Sequence, residues 1–158
     1  MNKQAVLEKI LHQLKTELAL FTATAQATHA EATHEENKAE DKYDTRGLEA
    51  SYLAMGQLKQ AEEAQLSVQT FEALSARAFG PDDVISLGAL VVLEGKARHC
   101  YFIGPRAGGT EINLDGQAVL VITPQSPLGR QLMGRHQDDT LQLDLGGGSG
   151  AARIASVA

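Results

Sequence analysis

Residues 119–139 read VLVITPQSPLGRQLMGRHQDD, and this stretch decides how the chain is read. Ala118 to Ile122 is a short apolar run rich in β-branched residues, the pattern of a strand. Pro124 and Pro127 then break the backbone. Leu128 to Met133 reads as a helical turn with Ser126 at its N-cap, Pro127 at its first position and Gly134 closing it. The acidic pair Asp138-Asp139 precedes the next strand.

Working outward, short strands are predicted at Leu87 to Leu93, Arg98 to Ile103, Glu111 to Leu114, Gln117 to Thr123, Thr140 to Leu145 and Ala152 to Val157. Turn residues separate them: Gly104-Pro105, Gly108-Gly109, Asp115-Gly116 and the run Gly146 to Gly150. The expectation is a small twisted antiparallel sheet crossed by one short helix, over residues 80–158. Gly80-Pro81 followed by Asp82-Asp83 ends whatever helix precedes it.

The first half has a different period. Leu7, Leu11, Leu14, Leu18, Phe21, Ala25, Thr28 and Ala32 recur in steps of four and three, the narrow stripe of a coiled coil. A second stripe is expected at Leu48, Tyr52, Met55, Leu58, Ala61, Val68, Phe71 and Leu74. If the helices run from near Asn2 and to near Arg77 and fold back on one another, each arm has about 32 to 36 residues and reaches roughly 50 Å. Residues 1–78 therefore form an antiparallel coiled-coil hairpin, with its irregular tip within 35–46. Thr33-His34-Glu35-Glu36 fits a capping box there, and Gly47 is a weak point in the second helix. The fold class is α+β, a helical hairpin followed by a sheet domain.

The chain has 158 residues, 43% of them apolar, only 4% aromatic and no Trp. That composition suits helices packed through small residues. Residues 1–78 carry twelve acids against eight Lys and Arg, and the rest eight against six, so neither half has the charge for broad binding to a phosphate backbone. Cys100 is the single cysteine, which excludes an intramolecular disulfide and a cysteine metal cage and fits a reducing, cytoplasmic setting. No apolar run approaches the roughly 20 residues of a membrane helix, and the first 25 residues are periodic and charged, unlike a secretory signal.

The segment Ser126-Pro127-Leu128-Gly129-Arg130, then three residues, Gly134 and Asp138-Asp139, resembles the C-terminal domain of the Gre family, the bacterial transcript cleavage and elongation factors GreA and GreB. Leu87-Gly88-Ala89-Leu90-Val91 is similar to the first strand of that domain. In the family a long helical hairpin comes first, as it does here. The resemblance implies an FKBP-like sheet-and-helix domain without isomerase activity. It implies a partner, bacterial RNA polymerase, whose secondary channel receives the hairpin while loops of the second domain dock at its entrance. Ser126, Pro127 and Arg130 are the contact residues it implies; the helix cap is the competing role for Ser126 and Pro127.

In the family the hairpin tip completes a metal site of the polymerase for hydrolysis of backtracked RNA, acting at the nascent RNA 3′ end without being an enzyme by itself. Here Glu31, Glu35, Glu36, Glu40, Asp41 and Asp44 put six of the twelve N-terminal acids within fourteen residues. Mg²⁺ takes one or two carboxylates from a protein when another site supplies the remaining ligands. Asp41 and Asp44 have the three-residue separation of the family's acidic pair and are the first choice for holding Mg²⁺ jointly with the polymerase. Glu36 and Glu40 are the competing alignment. The plainer reading is a solvated helix end, where acids alternate with Lys38 and Lys42. The tip is also where the match is weakest: HEENKAEDKYDTRGLE shares only Glu36-Asn37, Glu40 and Tyr43 with the family's sequence. A regulator that binds the channel without stimulating cleavage, and a coiled-coil adaptor for another partner, are the alternatives.

Other residues carry weaker signals. The histidines at 12, 29, 34, 99 and 136 give no zinc spacing, and His29 and His34 near Glu31 and Glu35 read as a surface cluster. The Gly146 to Gly150 run lacks the Lys-Ser/Thr of a phosphate-binding loop and reads as a hairpin connection. Ser126 has no His and acid partners for nucleophilic catalysis. Lys3, Lys9 and Lys15 are spaced along the first helix; they are candidates to attract RNA, with a solvated face as the plainer reading.

Overall fold

The computed structural model describes residues 1–33, 45–144 and 149–158. Its elements are α1 (Lys3–Thr33), α2 (Arg46–Glu72), β1 (Leu90–Glu94), β2 (Arg98–Ile103), β3 (Glu111–Leu114), β4 (Gln117–Ile122), α3 (Pro127–Leu132), β5 (Thr140–Asp144) and β6 (Ser149–Val157). This is an α+β chain, a helical hairpin followed by a six-stranded sheet with one short helix. Every predicted strand is present, with ends displaced by a few residues. Packing divides the chain differently from a cut in sequence between 1–78 and 80–158. One compact unit joins residues 1–11 to 70–158, and the other is 12–69.

The sheet has the order β3-β4-β2-β1-β6-β5. Four of its pairings are antiparallel, as expected, but β2 and β4 run parallel, Cys100 opposite Val119 and Phe102 opposite Val121. The reason is the connection. A parallel neighbour needs a crossover of a dozen or so residues, and residues 104–116 supply it by placing β3 at the sheet edge before β4 returns beside β2. Asp115 and Gly116, both at positive φ, make the two-residue turn of the β3-β4 hairpin, and Asn113 Oδ1 accepts from the Gly116 N–H at 3.0 Å. A bulge between Val92 and Leu93 sets Leu93 opposite Ile154, so that both side chains join the core.

β1 and β2 are buried on both faces. Val91, Leu93, Tyr101 and Ile103 point into a core with Phe79, Ile85, Leu132 and Ile154. The intervening Leu90, Val92, Cys100 and Phe102 are buried too, which a sheet with one solvated face does not allow. Their cover is the start of α1 and the end of α2. Phe71 stacks on Phe102 with ring centroids 6.1 Å apart, and Val6, Ile10 and Phe71 are 0% exposed. Phe71 and Phe79 thus serve opposite faces, so α2 has to stop between them; it ends at Glu72, short of the expected Arg77. Gly104 completes the fit, since a Cβ there would lie 2.7 Å from Phe71 Cζ and 2.8 Å from Val121 Cγ1.

Lys3 is drawn into the same unit. Its Nζ donates to the carbonyls of Arg77 and Ala158 and lies 4.4 Å from the Phe79 ring centroid, with the Arg77 guanidinium also over that ring. Burial, then the neighbouring Arg77 charge, hold its amine below the usual lysine range. The expectation of an RNA-attracting or solvated Lys3 is corrected accordingly: the side chain fastens α1 to the end of the chain.

Within 12–69 the first helix follows its predicted stripe, with Leu14 and Ala25 buried and Leu18, Phe21 and Thr28 half-buried. The second follows its stripe only in its later part, where Ala61 and Val68 are buried as expected. Leu48, Tyr52, Met55 and Leu58 are 56%, 66%, 66% and 54% exposed. The buried or half-buried line is instead Gly47, Ala50, Ala54, Gln57, Ala61, Ala64 and Val68, a strict alternation of three and four steps. Small side chains let the helices approach closely, and a seam of Leu, Tyr and Met would hold them apart. Gln57 is the polar member of this line, and its Oε1 is buried with no hydrogen-bond partner.

Replacing Gln57 by Leu removes an unsatisfied buried carbonyl while keeping the volume, and is expected to stabilise the hairpin by about 1 kcal/mol, read as a rise in the helical melting midpoint. Phe71→Ala is expected to cost the sheet unit about 3–5 kcal/mol. Cys100 reports it. The thiol is 4% exposed with its pKa raised by burial, so a thiol reagent should react slowly with the native chain and far faster with the variant.

Candidate functional site

The Ser126 to Arg130 segment leaves β4 through Thr123-Pro124-Gln125 and enters α3. Ser126 sits at φ −65°, ψ 155°, the extended geometry of an N-cap, and its Oγ accepts from the Gly129 N–H at 3.0 Å while donating to the Thr123 carbonyl at 2.8 Å. Both capacities of the hydroxyl are therefore used locally. Pro127 occupies the first turn, where a missing N–H costs nothing. Gly129 is obligatory because a Cβ would lie 1.9 Å from the Thr123 carbonyl oxygen.

Leu132 is 0% exposed in the core and Leu128 packs against it, which fixes the direction of this one and a half turns. With those two inward, Pro127 and Arg130, three apart in sequence, are exposed. No ion pair holds Arg130 among the described residues. Of the three residues named as contacts, then, two are presented outward and the third is the brace beneath them.

The acidic pair of the motif is architectural. Asp138, at φ 70°, binds Arg153 Nη1 at 2.6 Å, while Arg153 Nη2 reaches Glu94 at 3.3 Å. Asp139 Oδ2 accepts from the His136 N–H at 2.9 Å. Their backbones exchange hydrogen bonds with Ile154, so the pair turns the chain from α3 into β5, alongside β6. An acidic pair just before a strand, with an Arg later in the chain, was the available sequence signal.

Glu36, Glu40, Asp41 and Asp44 lie outside the described residues, as do His34, Glu35 and residues 145–148. Thr33 is the last residue of α1, its hydroxyl donating to the His29 carbonyl at 3.0 Å. Among the described residues no group of three or more His, Cys, Asp and Glu is placed to hold a metal ion, and no helix is long and apolar enough to cross a membrane. Cys100 is buried, and burial holds its thiol above the usual range; burial likewise raises Tyr101.

The feature that sequence reasoning missed is on unit 12–69. Leu18, Ala25 and His29 of α1 and Met55, Leu58 and Leu66 of α2 line part of an open groove of about 880 Å³. The residues read as the seam of α2 are one wall of it. The line of small residues through Ala54 and Ala61 was the signal that would have found it.

No protein-family model matches the chain, and no curated protein matches it. Among solved structures it is similar to the GreA factor homolog Gfh1 of Thermus thermophilus, with 24% identity over 96% of this chain and 94% of that one and a TM-score of 0.38. It is also similar to Thermus aquaticus Gfh1, 23% identical over 92% of each chain with a TM-score of 0.39. A third is the transcription elongation factor GreA/GreB from Nitrosomonas europaea, 18% identical over 69% of this chain and 91% of that one, TM-score 0.37. All three are Gre factors or homologues, the family that the Ser126 to Asp139 segment resembles.

Two substitutions separate brace from surface. Ser126→Ala is expected to cost about 1 kcal/mol of stability in the sheet unit by removing the cap, whereas Arg130→Ala should leave the denaturation midpoint unchanged.

Proposed function

We infer that this chain is a Gre-like regulator of bacterial RNA polymerase, which enters the secondary channel with its helical hairpin and docks through Pro127 and Arg130. The observation that carries this reading is the segment Ser126 to Arg130. Its cap and its inward-packed leucines hold an exposed Pro and an exposed Arg outward, on a sheet unit that follows a helical hairpin in the chain, in the order the family resemblance implies. The work is then binding, and the chemistry belongs to the polymerase.

In the finer form of the proposal, Asp41 and Asp44 hold Mg²⁺ together with ligands of the polymerase. Two carboxylates are hard oxygen donors suited to that ion and too few to hold it alone. When bound, the metal lowers the pKa of a water and stabilises a leaving oxygen. Glu36 and Glu40 are the alternative pair. The departure of residues 34–49 from the family's tip sequence favours a second form, a regulator that occupies the channel without stimulating cleavage. An adaptor for another protein is separated from both by partner capture. A cytoplasmic location follows from either polymerase reading.

The test is binding to purified core polymerase in competition with an authentic Gre factor. The chain is expected to be displaced by it, and Arg130→Glu to bind about tenfold more weakly at unchanged stability. Failure to bind where the competitor binds removes the reading. With binding in hand, Asp41→Asn with Asp44→Asn should abolish stimulated cleavage of backtracked RNA and spare affinity. Undiminished cleavage moves the role to Glu36 and Glu40, and absence of cleavage in the unaltered chain leaves the binding-only regulator.

A further inference from the structure

The outward face of α2 carries large apolar side chains that are largely exposed. Leu48, Tyr52, Met55 and Leu66 are between 41% and 66% exposed, and they fall on one line, 48-52-55-59-62-66-69, whose steps alternate four and three. A soluble helix seldom spends that many large apolar residues on water, and contiguous patches of this kind mark interaction surfaces. Two members of the line are charged: Lys59 and Glu62, both exposed and neither in an ion pair among the described residues.

The order of residues on this line selects the occupant. Pair it with itself in the antiparallel sense about a two-fold axis between residues 60 and 61. Lys59 then meets Glu62 of the other copy, Met55 meets Leu66, and Tyr52 meets Gln69, each contact occurring twice. Each of these six positions finds a complementary one: charge with opposite charge, apolar with apolar, and the phenol with an amide. A parallel pairing would set Lys59 on Lys59 and Glu62 on Glu62, and a shift by one heptad would separate the charges, setting Lys59 against Met55 and Glu62 against Tyr52 in one direction, and Lys59 against Gln69 and Glu62 against Leu66 in the other. Self-complementarity under a two-fold axis is the requirement of an isologous interface, and matched charges at the centre of a coiled-coil line fix orientation and register. Met55, Glu62, Leu66 and Gln69 also wall the 880 Å³ groove, so the second copy would cover that edge as well.

We propose that α2 is a homodimerisation surface on which a second copy of this chain pairs antiparallel through Tyr52, Met55, Lys59, Glu62, Leu66 and Gln69. The occupant is identified by the pattern of the line itself and does not depend on the polymerase reading.

The test uses the full chain. Sedimentation equilibrium of the unaltered protein should show reversible association to twice the chain mass. Lys59→Glu and Glu62→Lys, each alone, place like charges at both central contacts and should each weaken association by about tenfold. Mixing the two variants should restore it as a heterodimer, because every like-charged contact then becomes an opposite one; both changes in one chain should restore the homodimer. The positions are exposed, and an unchanged helical signal checks that each variant is folded. A chain that stays monomeric as concentration rises overturns the proposal, as does a dimer indifferent to both charge changes or a mixture that fails to recover.

Discussion

The contact on which the sheet unit depends is Phe71 against Phe102. β1 and β2 run through the middle of the sheet with apolar side chains on both faces, and a core on one face alone would leave Leu90, Val92, Cys100 and Phe102 in water. Phe71, with Val6 and Ile10, supplies the missing cover. Burying one large apolar side chain contributes about 1.5–3 kcal/mol, a large share of the marginal stability of a domain. The rest follows from geometry. Gly104 is bare because the Phe71 ring occupies the space of a side chain, and α2 ends at Glu72 so that Phe79 can enter the opposite core.

This arrangement explains why the compact units do not coincide with the change of periodicity near Gly80. Residues 1–11 and 70–79 belong by sequence to the hairpin and by packing to the sheet. Lys3 shows the same logic at the scale of one side chain. By spacing it is one of a row of surface lysines; in the structure its amine lies over the Phe79 ring and donates to two carbonyls from distant parts of the chain.

α2 solves a different problem. Its inner line is small and its outer line large, the reverse of what a simple search for the biggest apolar residues selects. Close packing of two helices is served by Ala and Gly, while Met55, Leu58 and Leu66 are left to line a groove. The segment Ser126 to Asp139 divides its labour in a similar way. Ser126, Gly129, Asp138 and Asp139 are consumed in shaping the chain, and Pro127 and Arg130 are what that shape presents.

The sequence alone determined the elements and their order. Strand and helix periods, the Asp115-Gly116 turn and the Ser126-Pro127 cap are local signals, set by neighbours within a few residues, and the structure reproduces them. It also determined the α1 stripe, whose members Leu7, Leu14 and Ala25 are buried and Leu11, Leu18, Phe21 and Thr28 half-buried. Tertiary structure alone decided which line of α2 is buried, the parallel pairing of β2 with β4, the covering of the second sheet face by Phe71, and the capture of Lys3. Each of these depends on what arrives from elsewhere in the chain: a helix that must come close, a strand returning after a crossover, an aromatic ring from a segment that reads as part of the hairpin. Burial is a property of the partner surface as much as of the residue, and periodicity records only the residue.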